Sequence, residues 1–171
     1  PQKSKQAGVA LLLHRALNFT PKETVMDPKG RFLVVLGLLD LDAITFVNIY
    51  APNKEDPGFF AELVPILTKF VNSNLIIGGD FNLVVNPELD RSRGKISLPS
   101  KSQLALFELM SDFHLIGIWR VLHPMVKDYT FTSLSTRCLP LLSPLFYWTH
   151  TMKLFTWDIC LTLSGSPPLC L

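Results

Sequence analysis

The residues with the clearest chemical potential lie in Gly78-Gly79-Asp80-Phe81-Asn82, directly after the apolar run Leu75-Ile76-Ile77. A short strand here delivers a carboxylate and a carboxamide two positions apart, so both side chains should point to one side. The two glycines allow another backbone or a phosphate to approach closely. Such a pair suits the holding of a cation and the orientation of a water or a phosphate oxygen. The alternative is a strand that ends in an Asx-type turn.

Two further segments place polar residues beside predicted strands. Residues 46–53 read Phe46-Val47-Asn48-Ile49-Tyr50-Ala51-Pro52-Asn53, and residues 129–133 read Tyr129-Thr130-Phe131-Thr132-Ser133. Taken alone, Tyr50 is typical of a half-buried anchor whose hydroxyl reaches water. Thr130 alone is an ordinary β-strand residue. Together with the Asp80 segment, and in this order along the chain, these residues form a set of motifs that is more specific than any one of them.

Together the motifs resemble the endonuclease/exonuclease/phosphatase superfamily, and more narrowly the endonuclease domain of LINE-type (non-LTR) retrotransposon polyproteins. The resemblance extends over residues 6–133 and rests on several short segments in the family's order. These segments are Gly8-Val9-Ala10, Gly30-Arg31, Asn48-Ile49-Tyr50-Ala51-Pro52-Asn53, residues 78–82, Leu89-Asp90-Arg91-Ser92, and Trp119-Arg120 with His123-Pro124. Each segment alone is a weak signal, and the ordered set is a strong one.

The resemblance implies hydrolysis of DNA phosphodiesters by a water that a magnesium ion assists. It makes Asp80 the carboxylate that orients or deprotonates this water and touches the metal. It makes Asn82 and Tyr50 hydrogen-bond donors to the scissile phosphate, and it places Thr130 beside the catalytic pocket. Asn53 and Arg91 become candidate DNA contacts, although Arg91 beside Asp90 also fits a simple surface ion pair.

Hydrophobic patterning predicts an α/β protein. Strands are expected at residues 8–14, 32–39, 43–50, 74–79 and 129–133, with a turn at residues 27–30 and a hairpin around residues 40–42. Helices are expected at 56–71, kinked or broken at Pro65, and at 100–113, capped by Ser100. The inner face of the second helix is predicted as Leu104, Phe107, Leu109 and Met110. The resemblance implies a four-layer α/β/β/α sandwich, in which two packed mixed sheets are flanked by helices and the active site lies at one edge.

Composition restricts the class of protein. The chain has 171 residues and a formal net charge of +2, which is too close to neutral to argue for nucleic acid by itself. No stretch approaches the roughly 20 apolar residues of a membrane span, and no signal peptide is visible. The three cysteines lack metal-type spacing, so we expect an intracellular protein of the nucleus or cytoplasm that is not secreted.

The C-terminal part departs from the family. Residues 134–171 hold three charged residues, Arg137, Lys153 and Asp158, and we interpret them as a divergent tail that replaces the last strands of a partial domain at residues 1–133. Phe146 stands where the resemblance implies a structural or catalytic Asp, and Gly165-Ser166 stands where it implies an Asp-His pair. The family's main metal-binding Glu is expected before residue 1, so the chain is expected to be truncated at its N-terminus. Loss of such groups predicts a pseudoenzyme, because removing one preorganised stabiliser already costs about 100- to 1000-fold in rate.

Four functions therefore remain open from the sequence. The first is a magnesium-dependent DNA endonuclease by ancestry, inactive in this chain and once part of a polyprotein with reverse transcriptase. The others are a phosphatase of the same superfamily, a non-catalytic DNA-binding module, and a remnant without function. The segments Leu89-Asp90-Arg91-Ser92 and Trp119-Arg120 favour the retrotransposon branch over the phosphatases.

Overall fold

A computed structural model describes residues 8–83, 85–86, 98–122 and 124–125, together with five short strands in the C-terminal part. The helices are α1 (Pro57–Leu67), α2 (Lys101–Asp112) and α3 (Ile118–Leu122), and a 3-10 turn (Thr68–Phe70) follows α1. The strands are β1 (Val9–Leu13), β2 (Phe19–Met26), β3 (Phe32–Leu39), β4 (Asp42–Tyr50), β5 (Asn74–Asp80), β6 (Leu115–Gly117), β7 (Tyr129–Phe131), β8 (Leu141–Leu142), β9 (Tyr147–Thr149), β10 (Ile159–Leu163) and β11 (Leu169–Cys170). The predicted mixed α/β class is confirmed.

The largest sheet has six strands in the order β2-β3-β4-β5-β9-β6. The predicted hairpin is confirmed, since β3 and β4 pair antiparallel with Leu39 opposite Asp42. Asp40 in the connection has a φ of 53°, which an Asp adopts more readily than most residues. Strand β5 then pairs parallel to β4, because α1 carries the chain back to the starting edge of the sheet.

The two faces of this sheet are covered differently. One face packs against α1 and α2, through buried residues that include Val47, Phe59 and Leu106. The opposite face carries Ile44 and Phe46, and partly buried residues of β1 pack there. Strand β1 belongs to a second sheet of order β1-β10-β11. Alternation along β4 therefore sends successive side chains to the helices and to β1.

The capping of α2 agrees with the sequence prediction, and its inner face agrees in part. Ser100 accepts a hydrogen bond from the Gln103 backbone N–H at 3.2 Å, and the Gln103 side chain accepts one from the Ser100 N–H at 2.7 Å. This capping box stabilises the first turn. The prediction is confirmed for Leu109, which is 2 % exposed, and for Met110, which packs against the core. It is wrong for Leu104, which is 49 % exposed, and it missed Leu106, which is fully buried. The helix is rotated relative to the predicted face, because Ser102 and Leu106 contact the interior.

Helix α1 runs through Pro65 without a break and ends at Leu67, so of the predicted kink or break the break is wrong and the kink stays a prediction. The structure also has strands that the patterning did not predict. Strand β2 was missed because its side chains are mostly exposed and an edge strand does not need apolar alternation. In the C-terminal part, β9 pairs with β5 and β6, and β10 pairs with β1. The boundary at residue 134 stays a prediction.

Within the described ranges, no helix has both the length and the apolar character that a membrane crossing requires.

Candidate functional site

Tyr50 and Asp80 lie side by side at the carboxyl ends of two neighbouring parallel strands. They are register partners, Tyr50 at the end of β4 and Asp80 at the end of β5. Partners in adjacent strands point to the same face and lie about 4.8 Å apart. By alternation from Phe46 and Ile76, both of which lie on the face that β1 covers, Tyr50 and Asp80 also belong to that face. A phenolic hydroxyl and a carboxylate therefore share one sheet edge.

Asp80 ends its strand in an Asx-type turn. Its Oδ1 atom accepts a hydrogen bond of 2.9 Å from the Asn82 backbone N–H, and Asn82 has a φ of 49°. Strand β5 stops at Asp80, so strand alternation does not extend to Asn82. The prediction that alternation places the Asp80 and Asn82 side chains on one side of a strand is therefore wrong. The turn and a functional role are compatible, because a carboxylate has further lone pairs to offer.

The loop after β4 and the loop after β5 are hydrogen-bonded to each other through Ala51. The Ala51 N–H donates to the Asp80 carbonyl at 2.8 Å, and the Asn82 side-chain Nδ2 donates to the Ala51 carbonyl at 2.7 Å. One N–H of the Asn82 amide is used in this way, which leaves the amide a second N–H for an incoming acceptor. Ala51 thus fixes both polar residues of the motif relative to the Tyr50 strand.

Gly79 allows this close association of the two strands. It has a φ of 126°, and a Cβ added there would overlap the Ile49 carbonyl oxygen of β4. The expectation that a glycine admits another backbone is therefore confirmed at Gly79. The neighbouring backbone belongs to the protein itself.

Next to these residues is a pocket of about 120 Å³ that Asn53 and Asn82 help to line. Its apolar side includes the buried residues Phe60 and Phe81, and its polar side comes from the start of α2 and from the loop after β4. Asp80 and Tyr50 are not among its lining residues. The sheet edge and the pocket are thus two adjacent places at the same end of β4 and β5.

Arg31 supports the Tyr50 strand from the preceding turn. Its Nε donates to the Asp27 carboxylate at 2.7 Å and its guanidinium also reaches Glu62 of α1 at 2.7 Å. The guanidinium lies 5.2 Å from the centroid of the Phe59 ring, a distance typical of a cation–π contact. The Arg31 carbonyl accepts from the Tyr50 N–H at 2.6 Å. We call Asp27, Arg31 and Glu62 the ionic clasp.

The ionic clasp makes stability depend on pH. Burial raises the pKa of Asp27, but hydrogen bonds from Arg31 and from backbone N–H groups lower it by a larger amount. The pKa of Asp27 therefore lies below its usual value. A carboxyl group with a depressed folded-state pKa contributes stability above its unfolded value of about 3.9. We therefore expect the urea midpoint to fall as the pH drops from 5 to 3, and to fall less in Asp27→Asn. An equal fall in both proteins would contradict this assignment.

The side chains of two predicted site residues lie outside the described part of the structure. Thr130 lies on β7, whose backbone pairs with β8, and its side chain lies outside the described set. Arg91 lies outside the described residues altogether. In the part of the chain that is described, no group of three His, Cys, Asp or Glu side chains is arranged to hold a metal ion. Among the described residues, Asp80 is therefore not a member of a group of three or more such side chains.

Solved structures share the fold of this chain. The AP endonuclease LMAP from Leishmania major matches with a TM-score of 0.56 and 18 % identity, over 72 % of this chain and 47 % of that one. The endonuclease domain of TRAS1, a telomere-specific non-LTR retrotransposon, matches with a TM-score of 0.54 and 12 % identity, over 87 % of this chain and 69 % of that one. The chain has the fold of these endonucleases. The resemblance that the motifs predicted is confirmed at the level of the fold.

One curated protein adds a relationship in sequence. The chain is 32 % identical over 88 residues to the transposon TX1 uncharacterized 149 kDa protein of Xenopus laevis. The match covers 50 % of this chain and 6 % of that protein, so the chain spans a small part of its relative. No protein-family model matches the chain.

Sequence reasoning missed several residues that shape the site. Ala51 holds Asp80 and Asn82 through its backbone N–H and carbonyl, and the residue type at a position does not reveal such backbone contacts. Arg31 was noted as a family motif, but its bridge to Glu62 joins residues that are 31 positions apart. Ser102 and Glu55 also join α2 to the loop after β4, and each of the two hydrogen bonds joins residues 46 positions apart, a spacing that gave no clue to the contact.

Proposed function

We propose that this chain is a DNA-directed endonuclease domain of retrotransposon type by ancestry, which binds DNA and does not cleave it as the 171-residue chain. The observation that carries the proposal is the pairing of Tyr50 with Asp80 at one sheet edge. A phenol and a carboxylate at such an edge suit a phosphodiester and the water that attacks it. The relative among transposon proteins favours DNA over the substrates of phosphatases.

The proposed roles follow from the local contacts. The Tyr50 hydroxyl donates to a phosphate oxygen, and the second N–H of the Asn82 amide donates to the same group. Asp80 accepts a proton from water, or orients it, through the oxygen that the turn does not use. Asn53, which lines the adjacent pocket, contacts the neighbouring DNA backbone, and we also assign Thr130 and Arg91 to the substrate side.

The metal expected for such chemistry is magnesium, which would neutralise charge on the phosphate and activate the water. Asp80 has the right ligand type for this ion. The described residues, however, contain no group of three or more His, Cys, Asp or Glu side chains that could hold the ion. In the C-terminal part, Phe146 and Gly165-Ser166 offer no carboxylate or imidazole at the positions where the resemblance implies them. This difference supports the proposal that cleavage is lost.

The proposal includes the architecture and origin of the domain. We propose that the two sheets pack as the inner layers of a four-layer α/β/β/α sandwich, in which α1 and α2 form one outer layer. We also propose that the chain derives from a longer polyprotein that carried a reverse transcriptase, in line with the short match to a 149 kDa transposon protein.

Two assays on the purified chain test this function. Fluorescence anisotropy with a labelled duplex is expected to show binding that weakens steeply as salt rises. A supercoiled plasmid incubated with magnesium is expected to stay intact. Magnesium-dependent nicking that disappears in Asp80→Asn would show an active enzyme, and the absence of any binding at low salt would contradict a DNA-directed role. Hydrolysis of a phosphomonoester by the wild type would favour the phosphatase alternative.

A further inference from the structure

The loop between β4 and α1 is tied to the first turn of α2 by two hydrogen bonds. The Asp56 backbone N–H donates to the Ser102 Oγ atom at 2.9 Å. The Lys101 backbone N–H donates to the Glu55 carboxylate at 2.7 Å. Each element thus supplies an acceptor side chain and a backbone donor to the other, and the pair is called the loop clamp below.

Burial shows that the Ser102 half of the loop clamp is the more shielded one. Ser102 is 3 % exposed, so its hydroxyl is removed from water and its hydrogen bond is not readily exchanged for one to solvent. Asp56 is the N-cap residue of α1 and makes no side-chain capping bond there. Its backbone is held instead by the side chain of a different helix.

The loop clamp fixes the segment that carries the proposed DNA contacts. Residues 51–56 run from Ala51, which binds Asp80 and Asn82, to Asp56, which binds Ser102. Asn53 lies between these two anchored ends and lines the pocket. A loop of six residues held at both ends has few conformations left, so its polar groups are preorganised.

We propose that Ser102 and Glu55 are positioning residues, which hold residues 51–56 so that Asn53 and Asn82 can contact DNA. This inference rests on the proposed function, because DNA is the ligand whose binding they would prepare. They do not touch the DNA themselves. Losing one such hydrogen bond is worth about 1 kcal/mol, which corresponds to about a fivefold change in affinity.

The test measures DNA affinity by anisotropy at several salt concentrations for wild type, Ser102→Ala, Ser102→Thr and the control Ser111→Ala. Ser111 is exposed at the other end of α2. We expect Ser102→Ala to bind about five times more weakly with an unchanged salt slope, because no charge is removed. Ser102→Thr keeps the hydroxyl and should restore most of the affinity, whereas Ser111→Ala should bind like wild type.

A second pair of variants isolates the other half of the loop clamp. Glu55→Gln and Glu55→Ala remove the same charge, but the glutamine keeps an acceptor for the Lys101 N–H. We expect Glu55→Ala to bind DNA more weakly than Glu55→Gln. Amide hydrogen exchange at Asp56 should become faster in Ser102→Ala, as a direct readout of the lost bond.

The outcomes separate this inference from the proposed function. Suppose that Ser102→Ala and Glu55→Ala bind DNA as tightly as the wild type, although amide exchange at Asp56 is faster in Ser102→Ala. This result would overturn the positioning role, while the DNA-binding function would stand. A wild type that binds no DNA would overturn both. An altered salt slope in Ser102→Ala would mean that the substitution changes a phosphate contact, which also contradicts a positioning role.

Discussion

Replacing Gly79 by alanine is expected to lower the free energy of unfolding by about 3 kcal/mol or more. The new Cβ would overlap the Ile49 carbonyl oxygen and would lie 2.8 Å from the Ile49 backbone nitrogen and 2.7 Å from the Asn48 Oδ1 atom. Two of these atoms belong to the backbone of β4, so no side-chain rotation relieves the contact. The φ of 126° adds strain, because residues that carry a side chain rarely adopt this backbone angle.

Urea unfolding followed by circular dichroism measures this effect. Gly8→Ala is the matched control, because a Cβ at Gly8 meets no atom within 4 Å. We expect the Gly8 variant to unfold close to the wild-type midpoint and the Gly79 variant far below it. Equal midpoints for the two variants would mean that β4 and β5 are not in the close register described here.

Arg31→Met is expected to destabilise the fold by about 2–4 kcal/mol, a value reduced for partial solvent screening. Methionine keeps the length of the side chain but removes the charge, and it leaves the Asp27 carboxylate, 8 % exposed, without its cationic partner. It also ends the cation–π contact with Phe59 and the bridge to Glu62. The turn that accepts the Tyr50 N–H should loosen as a result.

The same unfolding assay tests this prediction with two companions. Lys29→Met removes a positive charge from an exposed position of the same turn and should cost little. The double variant Asp27→Asn/Arg31→Met should recover part of the stability, because the unpaired buried charge is gone. An Arg31→Met protein as stable as Lys29→Met would show that the ionic clasp does not hold the turn.

The sequence predicted the strands of the main sheet well where burial dictates residue type. The run that became β3 is predicted with its observed bounds, because both faces of a central strand are buried and apolar residues follow one another. The end of β5 was one residue off, since the alternation pattern cannot show that Asp80 still pairs with Tyr50. The edge strand β2 was not predicted, because it is largely exposed and has a register shift between Pro21 and Glu23.

The local backbone geometry around Asp80 was predictable from the sequence, whereas the hydrogen bonds that connect it to distant residues were not. The motif around Asp80 and Asn82 predicted a strand end and a close backbone approach, and the structure has both. The Asx-type turn, which was the alternative interpretation, is also present. The bonds that hold the surrounding loop, to Ala51 and Ser102, join distant positions and depend on tertiary packing. Local patterns of residue type carry no signal for such contacts.

DNA binding by Asp80→Asn in magnesium-free buffer tests most directly whether the edge formed by Tyr50 and Asp80 receives the DNA backbone. If a phosphate lies at the edge formed by Tyr50 and Asp80, removing the carboxylate removes a like-charge repulsion of about 1 kcal/mol at 4 Å in water. Affinity should therefore rise about fivefold. Asp42→Asn is the control, because Asp42 begins β4 at the opposite end from Tyr50 and carries the same charge.

Anisotropy titrations of wild type, Asp80→Asn and Asp42→Asn against one labelled duplex decide the matter. We expect tighter binding for Asp80→Asn and near wild-type binding for Asp42→Asn. Equal affinities for the two variants, or weaker binding for Asp80→Asn, would contradict the claim that this sheet edge receives the DNA backbone.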